Sequence, residues 1–121
     1  MQAMAGPGRG GAEGFFVRLY LALAEAGLAQ RALVRRGAAA ATSLRAAGIE
    51  PLALGFGGAL DLVTRWRFGR EVRGFRPDLV LTWMSRATEH CPRGKFVHAA
   101  RLGGYYPLRN YRHCDHLIGN T

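Results

Sequence analysis

Acidic residues are scarce in this chain: eight Asp and Glu stand against seventeen Lys and Arg in 121 residues, a formal net charge of +9. The imbalance argues against cationic partners and points to phosphate-bearing ones, whether nucleic acid, a nucleotide or an anionic membrane surface. Lysine is almost missing as well. Lys95 is the single lysine, and the other cations are arginines, which suit bidentate recognition of phosphate or carboxylate but can equally reflect genomic base composition. Two cysteines, Cys91 and Cys114, are too few for a disulfide scaffold, and no apolar run at the start of the chain would serve as a secretory signal. The expected location is therefore the cytoplasm. Long hydrophobic runs are lacking too: the longest, Phe15 to Leu28, is interrupted by Arg18 and Glu25 and falls short of the roughly 20 residues a membrane span needs.

What remains is an ordinary globular composition, 49% apolar and 21% charged, in a length that supports one domain with its own core rather than two. A short apolar piece, Met1 to Ala5, runs into the glycine-dense segment Gly6-Pro7-Gly8-Arg9-Gly10-Gly11. Helix formers from Ala12 to Ala26 follow, with Gly27 placed to end the helix. Phe15, Leu19, Leu23 and Ala26 form one apolar stripe on this helix and Val17, Leu21 and Ala24 form another, so it should be covered on more than one side.

The rest alternates in the same manner. Strands are expected at 30–35, 51–56, 79–83, 95–99 and 116–118, with helices at 38–47, closed by Gly48, and from Gly57-Gly58 to Phe75, ended by Pro77. Ser85 to Gly94 reads as a polar loop. Strands separated by helix-length segments imply right-handed crossovers, hence an α/β Rossmann-like parallel sheet with helices on both faces. Ligands of such sheets sit beyond the carboxyl ends of the strands, which singles out the loops Gly6 to Glu13, Arg35 to Gly37, Met84 to Thr88 and Arg101 to Tyr106. Gly6, Gly8 and Gly11 fit G-x-G-x-x-G at the start of a helix, where backbone N–H groups can meet an anion. With Arg35 and Arg36 where a dinucleotide site usually has an acid, NADP is one reading. A loop that merely turns the chain is another.

Gly10-Gly11-Ala12-Glu13, followed by a helix and Gly27, resembles the first loop and helix of the two-domain GT-B glycosyltransferases of family 4. Pro77 to Arg86 resembles the fourth strand and active-site loop of that family, Phe96 to Arg101 the fifth strand, and Tyr111-Arg112 with Cys114 to Thr121 the sixth. The resemblance runs from about Gly10 to Thr121. It implies transfer of a sugar from a nucleotide-sugar, with retention at the anomeric carbon, to an acceptor that could be lipid-linked or part of the envelope. It also implies that residues 1–121 form the N-terminal, acceptor-binding domain, that the C-terminal donor-binding domain is absent, and that the chain alone is inactive, with no cofactor of its own. Gly10, Gly11 and Glu13 would then lie in the loop facing the donor diphosphate, Glu13 anchoring the helix start. Ser85, Arg86, Arg101, Gly103 and Tyr105 would line the acceptor side. The chain departs from the family at two points: only Met1 to Ala5 precedes the glycine loop, and Arg101 stands where many members carry a histidine.

Two further clusters are set against plainer readings. His113, Cys114, Asp115 and His116 are dense in metal-ligand types, yet only Cys114 and His116 would share a strand face, so no metal is expected. Trp66, Arg70 and Arg73 share a helical face, with Arg65 and Arg67 nearby. The plain reading is a solvated face with its tryptophan tucked against the sheet. The functional readings are an anionic lipid surface, giving peripheral association with the inner face of a membrane, or a nucleic-acid groove in a non-catalytic binding module. The second apolar stripe of the first helix also allows self-association through residues 15–26.

Overall fold

The computed structural model describes residues 1–104 and 107–119. Six parallel strands form one sheet in the order β3-β2-β1-β4-β5-β6: β1 Gln2–Met4, β2 Ala32–Arg35, β3 Leu52–Leu54, β4 Leu79–Trp83, β5 Val97–Arg101 and β6 His116–Ile118. The α/β Rossmann-like expectation holds. β1 has only three residues, yet it is central: Met4 pairs with Val34 on one side and Trp83 on the other.

Alternation along the strands divides the core into two layers. Met4, Ala32, Val34 and Trp83 face α1 (Gly11–Glu25) and α2 (Ala39–Ala46), where Phe16, Tyr20, Ala40, Ala41 and Leu44 meet them. Ala3, Leu33, Leu54 and Val80 face the other way, toward Phe68 on α3 (Leu62–Phe75) and Ala87 on α4 (Met84–His90). Helices α1 and α2 end at Gly27 (φ +88) and Gly48 (φ +81), left-handed positions where a Cβ would be strained. At the start of α3, the Asp61 carboxylate accepts from Thr64 N at 3.0 Å, Thr64 Oγ1 at 2.6 Å and Gly57 N at 2.8 Å. These bonds to Thr64 and Gly57 hold its pKa down at about 2.

Five expectations need correction. Residues 85–90 of the expected polar loop belong to α4, because the chain turns straight from β4 into a helix through a left-handed Met84 (φ +71). β5 runs from Val97 to Arg101 rather than over 95–99, ending where the family resemblance put the fifth strand, which places Arg101 on the sheet's carboxyl edge. The buried face of α1 is Phe16 and Tyr20, not the stripe from Phe15 to Ala26; Phe15 is partly exposed and Ala26 is exposed. On the other side of α1, Val17 and Leu21 are half-buried in the layer that α2 completes, so only Ala24 of that stripe is exposed. This removes the apolar strip on which self-association through α1 rested. Finally, Trp66 is 59% exposed, because Thr64, Phe68 and Gly69 occupy the inward face of α3.

Candidate functional site

The carboxyl ends of β1, β4 and β5 bring together residues distant in sequence. Arg101 closes β5 and lays its guanidinium 5.0 Å from the ring centroids of both Phe15 and Trp83. Phe15 and Phe16 each meet Trp83 edge-on at 5.6 Å, and Trp83 Nε1 donates to Gln2 Oε1 at 3.1 Å. A cation between two aromatic rings is held by their negative faces, which fixes its position at the mouth of the sheet. Arg101 thus sits between α1 and β4.

The glycine loop leaves β1 beside this cluster. Glu13 is buried, and its carboxylate occupies the space next to Gly6 and Gly10. A Cβ on Gly6 would overlap Glu13 Oε1 and come within 2.9 Å of Met84 Sδ, while one on Gly10 would stand 2.7 Å from Glu13 Oε2. A side chain at either position would push the carboxylate from the place it holds. Gly8 and Gly11 have open space instead. Glu13 therefore packs against the loop at Gly6 and Gly10 from the first turn of α1, where a negative charge is favoured by the helix dipole. The N-cap of α1 is Gly10 and that of α2 is Ala38, and neither supplies a side-chain cap. First-turn N–H groups have no intrahelical partner, and those at both helix starts are suited to an anion or to hydroxyl oxygens.

A cavity of about 470 Å³ opens between these two helices. Arg9, Glu13, Val17, Ala40, Thr42 and Ser43 are among the residues that line it. Thr42 and Ser43 carry no signal in the sequence, since nothing local says that the start of α2 lies beside the glycine loop.

The other expected site residues divide. Ser85 is half-buried on the first turn of α4, directly after Met84. Arg86 is exposed and turned toward the end of β3, where Nη1 donates to the Phe56 carbonyl at 3.5 Å. Gly103 is exposed beyond β5, and Tyr105 lies outside the described residues. His98, inside β5, faces away from the glycine loop into the layer under α4. Its Nε2 is 2.9 Å from Thr82 Oγ1, which is 2.9 Å from Thr88 Oγ1. Burial lowers the His98 pKa, against a smaller upward pull from Asp115. Cys114 Sγ is 3.8 Å from His98 Nδ1, and burial pushes its pKa up to about 11. A thiol so protonated is a poor nucleophile. Arg35 ends β2 half-buried and Arg36 is exposed.

Comparison with known proteins adds to this geometry. The chain is 38% identical over 103 residues to lipopolysaccharide core biosynthesis glycosyltransferase LpsD of Rhizobium meliloti (strain 1021). It is similar to glycosyltransferases. That match covers 79% of this chain and 29% of the relative. A second, lipopolysaccharide core biosynthesis glycosyltransferase LpsE of the same organism, is 32% identical over 120 residues, covering 93% of this chain and 34% of the relative. The chain thus spans about a third of the length of the curated relatives it matches. No family model and no solved structure matches it. Among the described residues, no helix is long and apolar enough to cross a membrane.

Proposed function

We propose that this chain is the N-terminal, acceptor-side domain of a retaining GT-B glycosyltransferase of family 4. It would act at the cytoplasmic face of a membrane, moving a sugar from a nucleotide-sugar to an envelope or lipid-linked acceptor. The observation that carries this reading is the uncapped start of α1 at the carboxyl end of the central strand, in a domain similar to glycosyltransferases. As the glycosidic bond to the donor breaks, negative charge grows on the leaving diphosphate. Backbone N–H groups of Gly11 and its neighbours, already oriented and without intrahelical partners, would stabilise that charge with little reorganisation. Gly8 and Gly11 leave room for the phosphate to approach, and the Glu13 carboxylate fills the space beside Gly6 and Gly10.

The acceptor side would be formed by Ser85, Arg86, Arg101, Gly103 and Tyr105. Arg101 is the residue best fixed for the task, held between Phe15 and Trp83. An oxocarbenium-like transition state must be shielded from water, and one open sheet edge offers no such enclosure. Donor binding and enclosure would fall to a second Rossmann-like domain, so the chain alone is expected to be inactive.

The test is to join the chain to a donor-binding domain of a lipopolysaccharide core glycosyltransferase and measure transfer from a panel of nucleotide-sugars. Sugar transfer with retained anomeric configuration is the expected result. Inversion, or no transfer by a folded fusion, would overturn the reading.

A further inference from the structure

The outward face of α3 has a composition that a water-facing helix does not need. Leu60 precedes the helix at 93% exposure, and Leu62, Val63 and Trp66 follow at 70%, 67% and 59%. Helical spacing sets Trp66 at the middle of the outward arc, with Leu62 and Val63 on the N-terminal side and Arg70 and Arg73 on the C-terminal side. Arg70 lies 5.6 Å over the Trp66 ring, and Arg65 flanks it. The acids near this face are turned away from it. Asp61 is occupied in capping, and Glu71, the only acid within α3, pairs with Arg31 at 2.9 Å on the opposite side. None of Arg65, Arg70 and Arg73 has an acidic partner among the described residues.

We propose that this face of α3 docks on an anionic phospholipid surface, with Leu60, Leu62, Val63 and Trp66 entering the headgroup boundary and Arg65, Arg70 and Arg73 meeting lipid phosphates. The inference deepens the membrane location of the proposed function, but it uses none of the residues of the glycine loop or the acceptor side, so lipid binding and sugar transfer can fail separately. Charge complementarity selects an anionic partner. The aliphatic residues select lipid over nucleic acid, because three exposed branched side chains gain nothing from phosphates or base edges but gain transfer free energy from acyl chains. Tryptophan at the centre of the face suits the interface, where its ring is apolar and its N–H is wet.

The chain carries its own reporter. Of its two tryptophans, Trp83 is 1% exposed and Trp66 is 59% exposed, so a change in emission on adding vesicles reads Trp66. The experiment adds the chain to phosphatidylcholine vesicles with and without phosphatidylglycerol and follows both tryptophan emission and co-sedimentation. We expect a blue shift and co-sedimentation with the anionic vesicles alone, reduced by salt. Trp66→Phe should abolish the shift while the protein still sediments. Each basic residue near the surface contributes about fivefold to partitioning. Arg65→Gln with Arg70→Gln and Arg73→Gln should therefore weaken binding about a hundredfold. The charge-matched set Arg36→Gln, Arg45→Gln and Arg109→Gln, outside the α3 face, should cost less than tenfold. Circular dichroism confirms the fold of each variant, and Leu60→Ser with Leu62→Ser provides a second, uncharged probe that should also reduce the shift. The proposal is overturned by no shift with anionic vesicles, by equal losses in the two arginine sets, by a shift with polyuridylate in place of vesicles, or by a concentration-dependent dimer that buries Trp66 without lipid.

Discussion

Gly6 and Glu13 occupy what would be the same space: a Cβ on the first would overlap the carboxylate of the second. The glycine loop is thus not a generic turn. Gly6 and Gly10 admit a buried acid, whereas Gly8 and Gly11 leave open room.

This division predicts different outcomes for neighbouring substitutions. Gly6→Ala forces Glu13 and Met84 to move and should destabilise the fold by about 1–3 kcal/mol. Gly11→Ala meets nothing within 4 Å, and Gly11 is not among the left-handed glycines, so its melting temperature should hardly change. In a fusion that transfers sugar, the same Gly11→Ala should still lower the rate, on the order of a hundredfold, if phosphate approaches there. Full activity in that folded variant would return the loop to a purely structural role.

Gln2 and Trp83 yield a second test. The Gln2 side chain accepts from the buried indole at 3.1 Å and donates to Gln30 Oε1 at 2.8 Å. Gln2→Leu leaves the indole N–H without a partner and should cost about 1–3 kcal/mol in chemical denaturation. Adding Trp83→Phe removes the orphaned donor, so the double variant should lose less than the sum of the two single changes.

His98 predicts a pH dependence. Its folded pKa is lowered from 6.5 by burial, so between that lowered value and 6.5 the unfolded chain binds the proton that the fold excludes. The stability contributed by neutral His98 is complete above pH 6.5 and is lost as the pH falls through the folded pKa. Denaturation curves of the wild type and His98→Gln should diverge in slope across that interval. Parallel curves would show that His98 titrates alike in both states.

The isolated chain is predicted to transfer no sugar from common nucleotide-sugars. A coupled assay for released nucleotide, run on purified material of this length, checks it; sustained turnover would show that one domain encloses the reaction. In the active fusion, Arg101→Ala should raise KM for the acceptor, and the lost cation–π contacts with Phe15 and Trp83 should also lower stability by about 1–2 kcal/mol.

Short-range patterns were enough for most of the architecture. The apolar run Leu79 to Trp83 read directly as a strand, Gly27 and Gly48 marked two helix ends, and the alternation of elements implied the parallel sheet. These signals are local, because a period of two or a left-handed glycine is written within a few residues. Tertiary structure decided the rest. Apolar residues lie on nearly every side of helix α1, so its sequence left the inward face open, and Phe16 and Tyr20 were selected by their packing against Trp83 and α2. Trp66 and Phe68 are two residues apart and both aromatic, yet only Phe68 fits the layer beneath α3, which turns the tryptophan outward among arginines. Glu13 looked like a helix-start acid; that Gly6 and Gly10 shape a recess for it depends on where β1 and α1 meet, a contact that side-chain volume and backbone path decide together.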